Sequence, residues 1–275
     1  MMRRTAYWLF LPAIGLLVPF LVVPLLSVLA ASFGLGATLG GDSGPTLSHY
    51  ALVLGDPYYL KAFIRTIALG GGIAILAAAL GLPLAWFMVR HPAWRTPLIL
   101  LLTGPLLVNV IARLYGWQMV LADSGPLNKA IAAVFGNTEP IFFTGTMTGV
   151  VIVMVHVFLP YMTMSLYNAM QTIPASVIEA ARTLGASGWK IFWRIAVPLA
   201  VPGLITGAII VFSLASSSFV IPAIMGGGKV NTFPTLVYQE AMTLNFARAA
   251  ALAGCLLIVL VPLSRLSGRL NQVAS

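Results

Sequence analysis

Ser176-Val-Ile-Glu-Ala-Ala-Arg-Thr-Leu-Gly-Ala-Ser-Gly-Trp-Lys-Ile-Phe-Trp-Arg-Ile-Ala-Val-Pro198 is a polar stretch between two long apolar blocks, residues 147–171 and 198–225. Each block has the roughly twenty residues that a helix needs to cross about 30 Å of hydrocarbon. The stretch therefore reads as a loop emerging between two membrane spans. Ser176 and Glu179 stand in the S-x-x-E relation of a capping box at a helix start. Ala180 and Ala181 favour helix and keep one face slim, and Gly185 suits the left-handed residue that ends a helix. A second short helix is expected from Ser187 through Trp189, Lys190, Phe192, Trp193 and Arg194, stopping before Pro198. Its aromatic residues fit either a membrane interface, where Trp is enriched, or a protein contact, and composition does not decide.

The rest of the chain has the same membrane character. Of its 275 residues 60% are hydrophobic and 8% charged, with a mean hydropathy of +0.99; soluble domains carry about a quarter of their residues charged. Six apolar blocks stand out, at about 8–33, 66–89, 97–122, 147–171, 198–225 and 247–266. Unbroken apolar runs lack the alternation of barrel strands, so an all-α membrane protein of six transmembrane helices is expected. The block from Trp8 to Phe33 exceeds a signal h-region of roughly 7 to 15 residues and reads as a retained first span. Residues 1–275 are expected to form one transmembrane domain, with 172–198 as a loop within it. Pro12, Pro19, Pro24, Pro83, Pro105, Pro160, Pro202, Pro222 and Pro262 are the candidates for kinks, which packed membrane helices tolerate.

Lys and Arg favour cytoplasmic loops. With the N-terminus inside, nine basic residues fall on the inner side (Arg3, Arg4, Arg90, Arg95, Arg182, Lys190, Arg194, Arg265 and Arg269) and five on the outer. Asp42, Asp56, Asp123, Glu139 and Glu240 lie outside. Both termini and the 176–198 loop are thus expected in the cytoplasm. The net charge of +9 is scattered between apolar blocks and forms no stripe, which argues against a nucleic-acid partner. Cys255 is the only cysteine, and His49, His91 and His156 are widely separated, so no metal site is expected. Gly226-Gly227-Gly228-Lys229 lacks the earlier Gly and following Ser or Thr of a phosphate loop, with Ala223 and Val230 in those places.

The order Glu179-Ala180-Ala181, three residues, Gly185, nine residues, Ile195, one residue, Val197-Pro198 resembles the EAA loop of permease subunits in binding-protein-dependent ABC importers. The family pattern ends in Leu-Pro, from which Val197 departs. The resemblance implies a type I ABC importer permease fold. It also implies that the loop is a coupling helix seated in a groove of a cytoplasmic ATPase, with Glu179 supplying a charge, Ala180 and Ala181 allowing close approach, and Gly185 forming the bend. Implied partners are two ATPase subunits, which hold ATP and Mg, a second permease that is a paralogue rather than an identical copy, an external substrate-binding protein and membrane lipid. This chain itself is expected to bind no cofactor and to catalyse nothing, as a multi-pass protein of a bacterial inner membrane.

Asn109-Val-Ile-Ala-Arg113-Leu-Tyr115-Gly-Trp117, Asp123-Ser-Gly125-Pro-Leu-Asn128 and Phe219-Val-Ile-Pro222 look like the spermidine/putrescine group of these permeases, which also includes permeases for phosphonate compounds, iron and other solutes. A polyamine substrate is the expectation that follows. Yet none of the six blocks contains Asp or Glu, and Ser216, Ser217 and Ser218 precede Phe219 where polyamine permeases commonly offer an acid. Tyr115 and Trp117 are candidates for holding a cation by their ring faces, and as readily for packing. Arg113, costly at mid-span, is a candidate for meeting an anionic group, or for bonding helix carbonyls. An ion-coupled carrier would usually carry intramembrane acids, and a membrane enzyme would need a catalytic constellation; neither occurs in the blocks.

Overall fold

In the computed structural model, which describes residues 15–35, 44–136 and 139–273, the apolar blocks are helices, and no strand occurs among the described residues. The part of the expected first span before Gly15, together with Arg3, Arg4 and Asp42, lies outside the described residues, as do the side chains of Arg265 and Arg269. In chain order the helices are α1 (Gly15–Ser32), α2 (Ser48–Gly55), α3 (Pro57–Arg90), α4 (Pro92–Thr103), α5 (Val110–Leu121), α6 (Pro126–Phe135) and α7 (Met147–Met170). They continue as α8 (Ala175–Thr183), α9 (Gly188–Leu199), α10 (Val201–Ser217), α11 (Val220–Met225), α12 (Phe233–Met242) and α13 (Phe246–Val273).

Helices α1, α3 and α7 are each long and apolar enough to cross a membrane; five spans result if each of two bent pairs counts as one, and Phe246–Pro262 is a further, shorter apolar stretch. Two blocks are bent near prolines expected as kinks. In the block 97–122 the helical segments Pro92–Leu107 and Val110–Phe135 meet at 105°. Pro105 sits in a 3-10 turn after α4, Val108 is extended, and the Asn109 side chain accepts the Ile111 N–H at 2.9 Å to start a new helix. The block 198–225 is likewise divided. A bend of 67° separates α9 from α10, and extended Ser218 separates α10 from α11. The hydroxyl of Ser217 donates back to the Ser213 and Leu214 carbonyls, the local competition that Ser offers a helix end. By contrast Pro83, Pro160 and Pro262 lie inside continuous helices.

Helix α3 begins nine residues before the expected span. Asp56 accepts the Tyr58 N–H at 2.8 Å, and Pro57 occupies the first helical position, where its missing N–H costs nothing. Its 34 residues extend roughly 50 Å, more than the hydrocarbon needs.

The described chain divides into two compact units. One contains α1, α2, the first residues of α3, α12 and the α13 residues as far as Ile258. Every residue from 15 to 29 of α1 is exposed, whereas Ser32 at its end is buried and accepts the Tyr50 hydroxyl at 2.9 Å. Gly254 makes room for that ring: a Cβ there would lie 2.7 Å from the Tyr50 oxygen. The Glu240 carboxylate accepts the Tyr59 hydroxyl at 2.7 Å and pairs with Arg248 at 3.5 Å.

The other unit, Phe63–Thr232 with Val259 onward, is built around α7. Val153, Met154, Met162 and Leu166 of α7 are buried with Ile73 and Ala77 of α3 and Leu114 of α5. Helix α10 packs closest to it. Gly203 and Gly207 are the small residues that permit this approach, since a Cβ at Gly203 would overlap Ala169 and one at Gly207 would lie 2.8 Å from the Met162 sulfur. Their spacing therefore serves packing within the subunit. The 125–128 corner is equally specific: a Cβ at Gly125 would meet the Met119 and Val120 carbonyls at 2.6 Å. Buried Asn128 donates to the Ala122 and Ile141 carbonyls and accepts the Ile141 N–H.

Candidate functional site

Helix α8 stands on the surface with no buried residue. Its start differs from expectation. The N-cap is Pro174, which has no side-chain acceptor to offer, so Ser176 and Glu179 fall within the helix and form no capping box. Pro174, with φ −59° and ψ 135°, sets the entry direction by its ring alone, one residue after the Ile173 N–H closes the end of α7 on the Met170 carbonyl.

The end of α8 follows the glycine expectation. Gly185 has φ +77°; its N–H donates to the Arg182 carbonyl and that of Ala186 to the Ala181 carbonyl, the paired bonds of a Schellman end. Leu184, forced outward at the turn, is 88% exposed, an unusual place for a leucine unless something covers it. Glu179 and Ala180 are exposed and Ala181 is half-buried. Glu179 forms no ion pair among the described residues.

Ser187 then caps α9, accepting the Lys190 N–H. Pro198 does not stop this helix, as the sequence suggested it would. A π-helical turn at Phe192–Ala196 absorbs the register change, the Val197 N–H reaching back to the Phe192 carbonyl, and the chain bends only at Ala200, between Pro198 and Pro202. Helix α9 is anchored where α8 is free. Ile191, Phe192 and Ala196 are buried, Ile195 is half-buried and Pro198 exposed. The Phe192 ring lies 5.9 Å from that of Trp86 on α3. Trp189 and Trp193, which sequence alone left between interface and contact, are 70% and 47% exposed. An exposed, slim helix mounted on a buried lever can dock on a partner and pass its displacement to α3 and α10.

The candidate path residues lie elsewhere in the same unit. Arg113 and Trp117 are one turn apart on α5, and the Trp117 indole N–H donates to His156 Nδ1 on α7 at 3.2 Å. Tyr115 points away and is 58% exposed. The Arg113 guanidinium makes one long bond, 3.5 Å to the Val108 carbonyl, while its Nε and Nη1 are buried without a partner. Gln118 ties α5 to α11 through the Ile224 carbonyl. Ser216 is fully buried against Gly70 of α3, where a Cβ would overlap its hydroxyl oxygen. Ser217 is exposed and bonded to its own helix, Ser218 ends α10, and Phe219 is 40% exposed. Leu184 escaped the sequence reading, signalled only by its place before the glycine that ends α8. His156, a polar group amid an apolar block, reads from sequence as a packed polar residue or pore lining, and the structure gives it the Trp117 bond.

Residues 3–272 match the family described as binding-protein-dependent transport system inner membrane component. The chain is 33% identical over 223 residues to the spermidine/putrescine transport system permease protein PotB of Escherichia coli (strain K12), covering 78% of this chain and 79% of that protein. It is 27% identical over 199 residues to the molybdenum transport system permease protein ModB of Azotobacter vinelandii, covering 71% and 86%. Among solved structures, a bacterial ABC transporter involved in import of the acidic polysaccharide alginate is similar with a TM-score of 0.73 at 16% identity, over 96% of this chain and 95% of that one. The MetNI methionine ABC transporter in inward-facing form has a TM-score of 0.54 at 18% identity, over 78% and 95%. At these identities the structural likeness speaks for the fold.

Proposed function

This chain belongs to the family of binding-protein-dependent transport system inner membrane components, as a multi-pass permease subunit of an ABC importer and not an enzyme, and on that premise we propose that α8 is the helix through which ATPase subunits drive it. The exposed α8 carries the proposal, ending in the Gly185 turn and mounted on α9, which Ile191, Phe192 and Ala196 anchor in the core. Two ATPase subunits, which bind ATP and Mg, dock on the paired loops of this permease and a paralogous second permease. Their closure moves both permeases between inward-facing and outward-facing states. Residues 1–275 act as one permease domain with 172–198 as its cytoplasmic loop and both termini in the cytoplasm. Glu179, Ala180, Ala181 and Gly185 form the docking helix, and Ile195 and Pro198 belong to the lever behind it. Tagging this chain should recover an ATPase from solubilised membranes, and transport in proteoliposomes should require ATP. Transport driven by an ion gradient alone would overturn the proposal.

The solute is a polyamine such as spermidine or putrescine, delivered by an external binding protein. The support is the identity to PotB over most of both chains. In this reading Tyr115, Trp117 and Phe219 offer ring faces to the ammonium groups, and Ser216, Ser217 and Ser218 mark the break near the path. A second reading follows from Arg113, whose unpartnered donors suit a solute with an anionic group. Uptake into proteoliposomes of the complete importer, assayed with spermidine, molybdate and an aminoalkylphosphonate, separates the two. Spermidine uptake alone supports the first, and uptake of either anion alone the second.

A further inference from the structure

A chain of rings runs from the end of α3 onto α9. Arg90, the last residue of α3, has its Cζ 5.3 Å from the centroid of Trp86, one turn inside the same helix. Trp86 meets Phe192, and Phe192 meets Trp189 at 6.0 Å and Trp193 at 5.0 Å. Because α9 packs at the level where α3 ends, its exposed face lies at the depth where a spanning helix leaves the hydrocarbon. That is the depth at which Trp is enriched in membrane proteins.

The same face concentrates positive charge. Trp189 and Trp193, spaced by four, form one stripe of α9, and Lys190 and Arg194, also spaced by four, form the next. Like charges at this spacing repel on a helix, and Arg90 adds a third cation at the end of α3, over the Trp86 ring that meets Phe192. None of these three cations forms an ion pair among the described residues. Cations beside exposed indoles suit an anion that is amphipathic and sits at the membrane surface.

We propose that α9 and the end of α3 form a binding site for the headgroup of an anionic phospholipid in the adjoining leaflet. Lys190, Arg194 and Arg90 hold its phosphates, and Trp189 and Trp193 lie against the glycerol and upper acyl region. The lipid relieves the repulsion among these cations and steadies the lever on which α8 is mounted. An acidic face of an ATPase subunit is the competing occupant; the packing of α9 against Trp86 near the end of spanning helix α3 favours the bilayer, whereas Leu184 at the tip of α8 is the part placed to reach a soluble protein.

The test uses the purified importer complex in nanodiscs. Replacing part of the phosphatidylcholine with phosphatidylglycerol should raise the melting temperature of the wild-type complex. The doubly substituted Lys190→Gln/Arg194→Gln complex should lose that rise, with affinity for phosphatidylglycerol reduced roughly fivefold per cation removed. Lys129→Gln, an exposed cation elsewhere, should keep it. An undiminished rise in the double variant would overturn the proposal. So would loss of ATPase association with an unchanged lipid response, which would assign the face to the ATPase. Should the double variant fail to accumulate, wild-type fluorescence decides. The Trp189 and Trp193 contribution, obtained by difference from Trp189→Phe/Trp193→Phe, should be quenched more by brominated phosphatidylglycerol than by brominated phosphatidylcholine, and equal quenching would refute the site.

Discussion

The hydroxyl of Ser165 donates to the carbonyl of Gly203 at 2.7 Å, binding α7 to α10 where a Cβ at residue 203 would lie 2.8 Å from the Ser165 carbonyl oxygen. A hydrogen bond from a side chain to the backbone of another helix requires that helix to carry no Cβ in the way. Gly203→Ala should therefore push the helices apart and destabilise by about 1–3 kcal/mol, while Ser165→Ala loses only the bond, about 1 kcal/mol. Thermal unfolding of the two variants in detergent checks the order. Equal melting temperatures for Gly203→Ala and wild type would show that the approach is not tight.

At Gly185 the constraint is angular. A Cβ there meets nothing within 4 Å, so only the φ of +77° resists substitution. Asn, which tolerates the left-handed region, should retain most ATP-driven transport, while Val, for which that region is a steric outlier, should lose most of it. Transport and ATPase rates in proteoliposomes provide the comparison. Equal performance by Val and Asn would mean that the turn does not govern coupling.

Leu184 and Phe192 should separate docking from anchoring. Leu184→Asp alters a side chain that is 88% exposed and should leave stability within about 0.5 kcal/mol, yet diminish recovery of the ATPase. Phe192→Ala removes a buried ring and should cost about 3–5 kcal/mol. The reverse pattern, with Leu184→Asp unstable and fully coupled, would remove α8 as the docking helix.

Trp117→Phe keeps a ring but deletes the donor to His156 Nδ1. The expected loss is about 0.5–1.5 kcal/mol. His156→Phe should cost no further stability on the Trp117→Phe background than its own packing change, a coupling that a double-mutant cycle measures. Strict additivity would deny the contact.

Glu240→Gln preserves an acceptor for Tyr59 and loses the charge opposite Arg248, whereas Glu240→Leu loses both. Arg248 is 36% exposed, so the lost ion pair alone should cost under about 1 kcal/mol. The Leu variant should cost more, because the Tyr59 hydroxyl is then left without its partner. Melting curves that rank Gln below Leu would contradict this.

Much of the architecture is legible because the relevant physics is local or nearly so. Apolar runs announce helices, since unsatisfied backbone groups are too costly in hydrocarbon, and the run from Met147 to Gln171 coincides with α7 to within a residue. Gly185 announces a helix end because only its own dihedral matters. The failures also have physical causes. Pro198 reads as a stop, but a π turn over Phe192–Ala196 lets the helix pass. Ser176 and Glu179 read as a cap, but Pro174 sets the helix start first. Pro105 breaks its block whereas Pro160 does not, a difference that the identity of the residue cannot express.

The loop from Ser176 to Pro198 states both sides. Its composition and spacing by themselves determined that a helix ends at Gly185 and which family the chain resembles, because chirality and spacing are properties of the sequence. Only the tertiary structure decided that Leu184 is open while Phe192 is enclosed, that Trp117 is bonded to His156, and that two Arg113 donors are left without partners. Those depend on which distant residues come to stand beside them, and burial is a property of the neighbours as much as of the side chain.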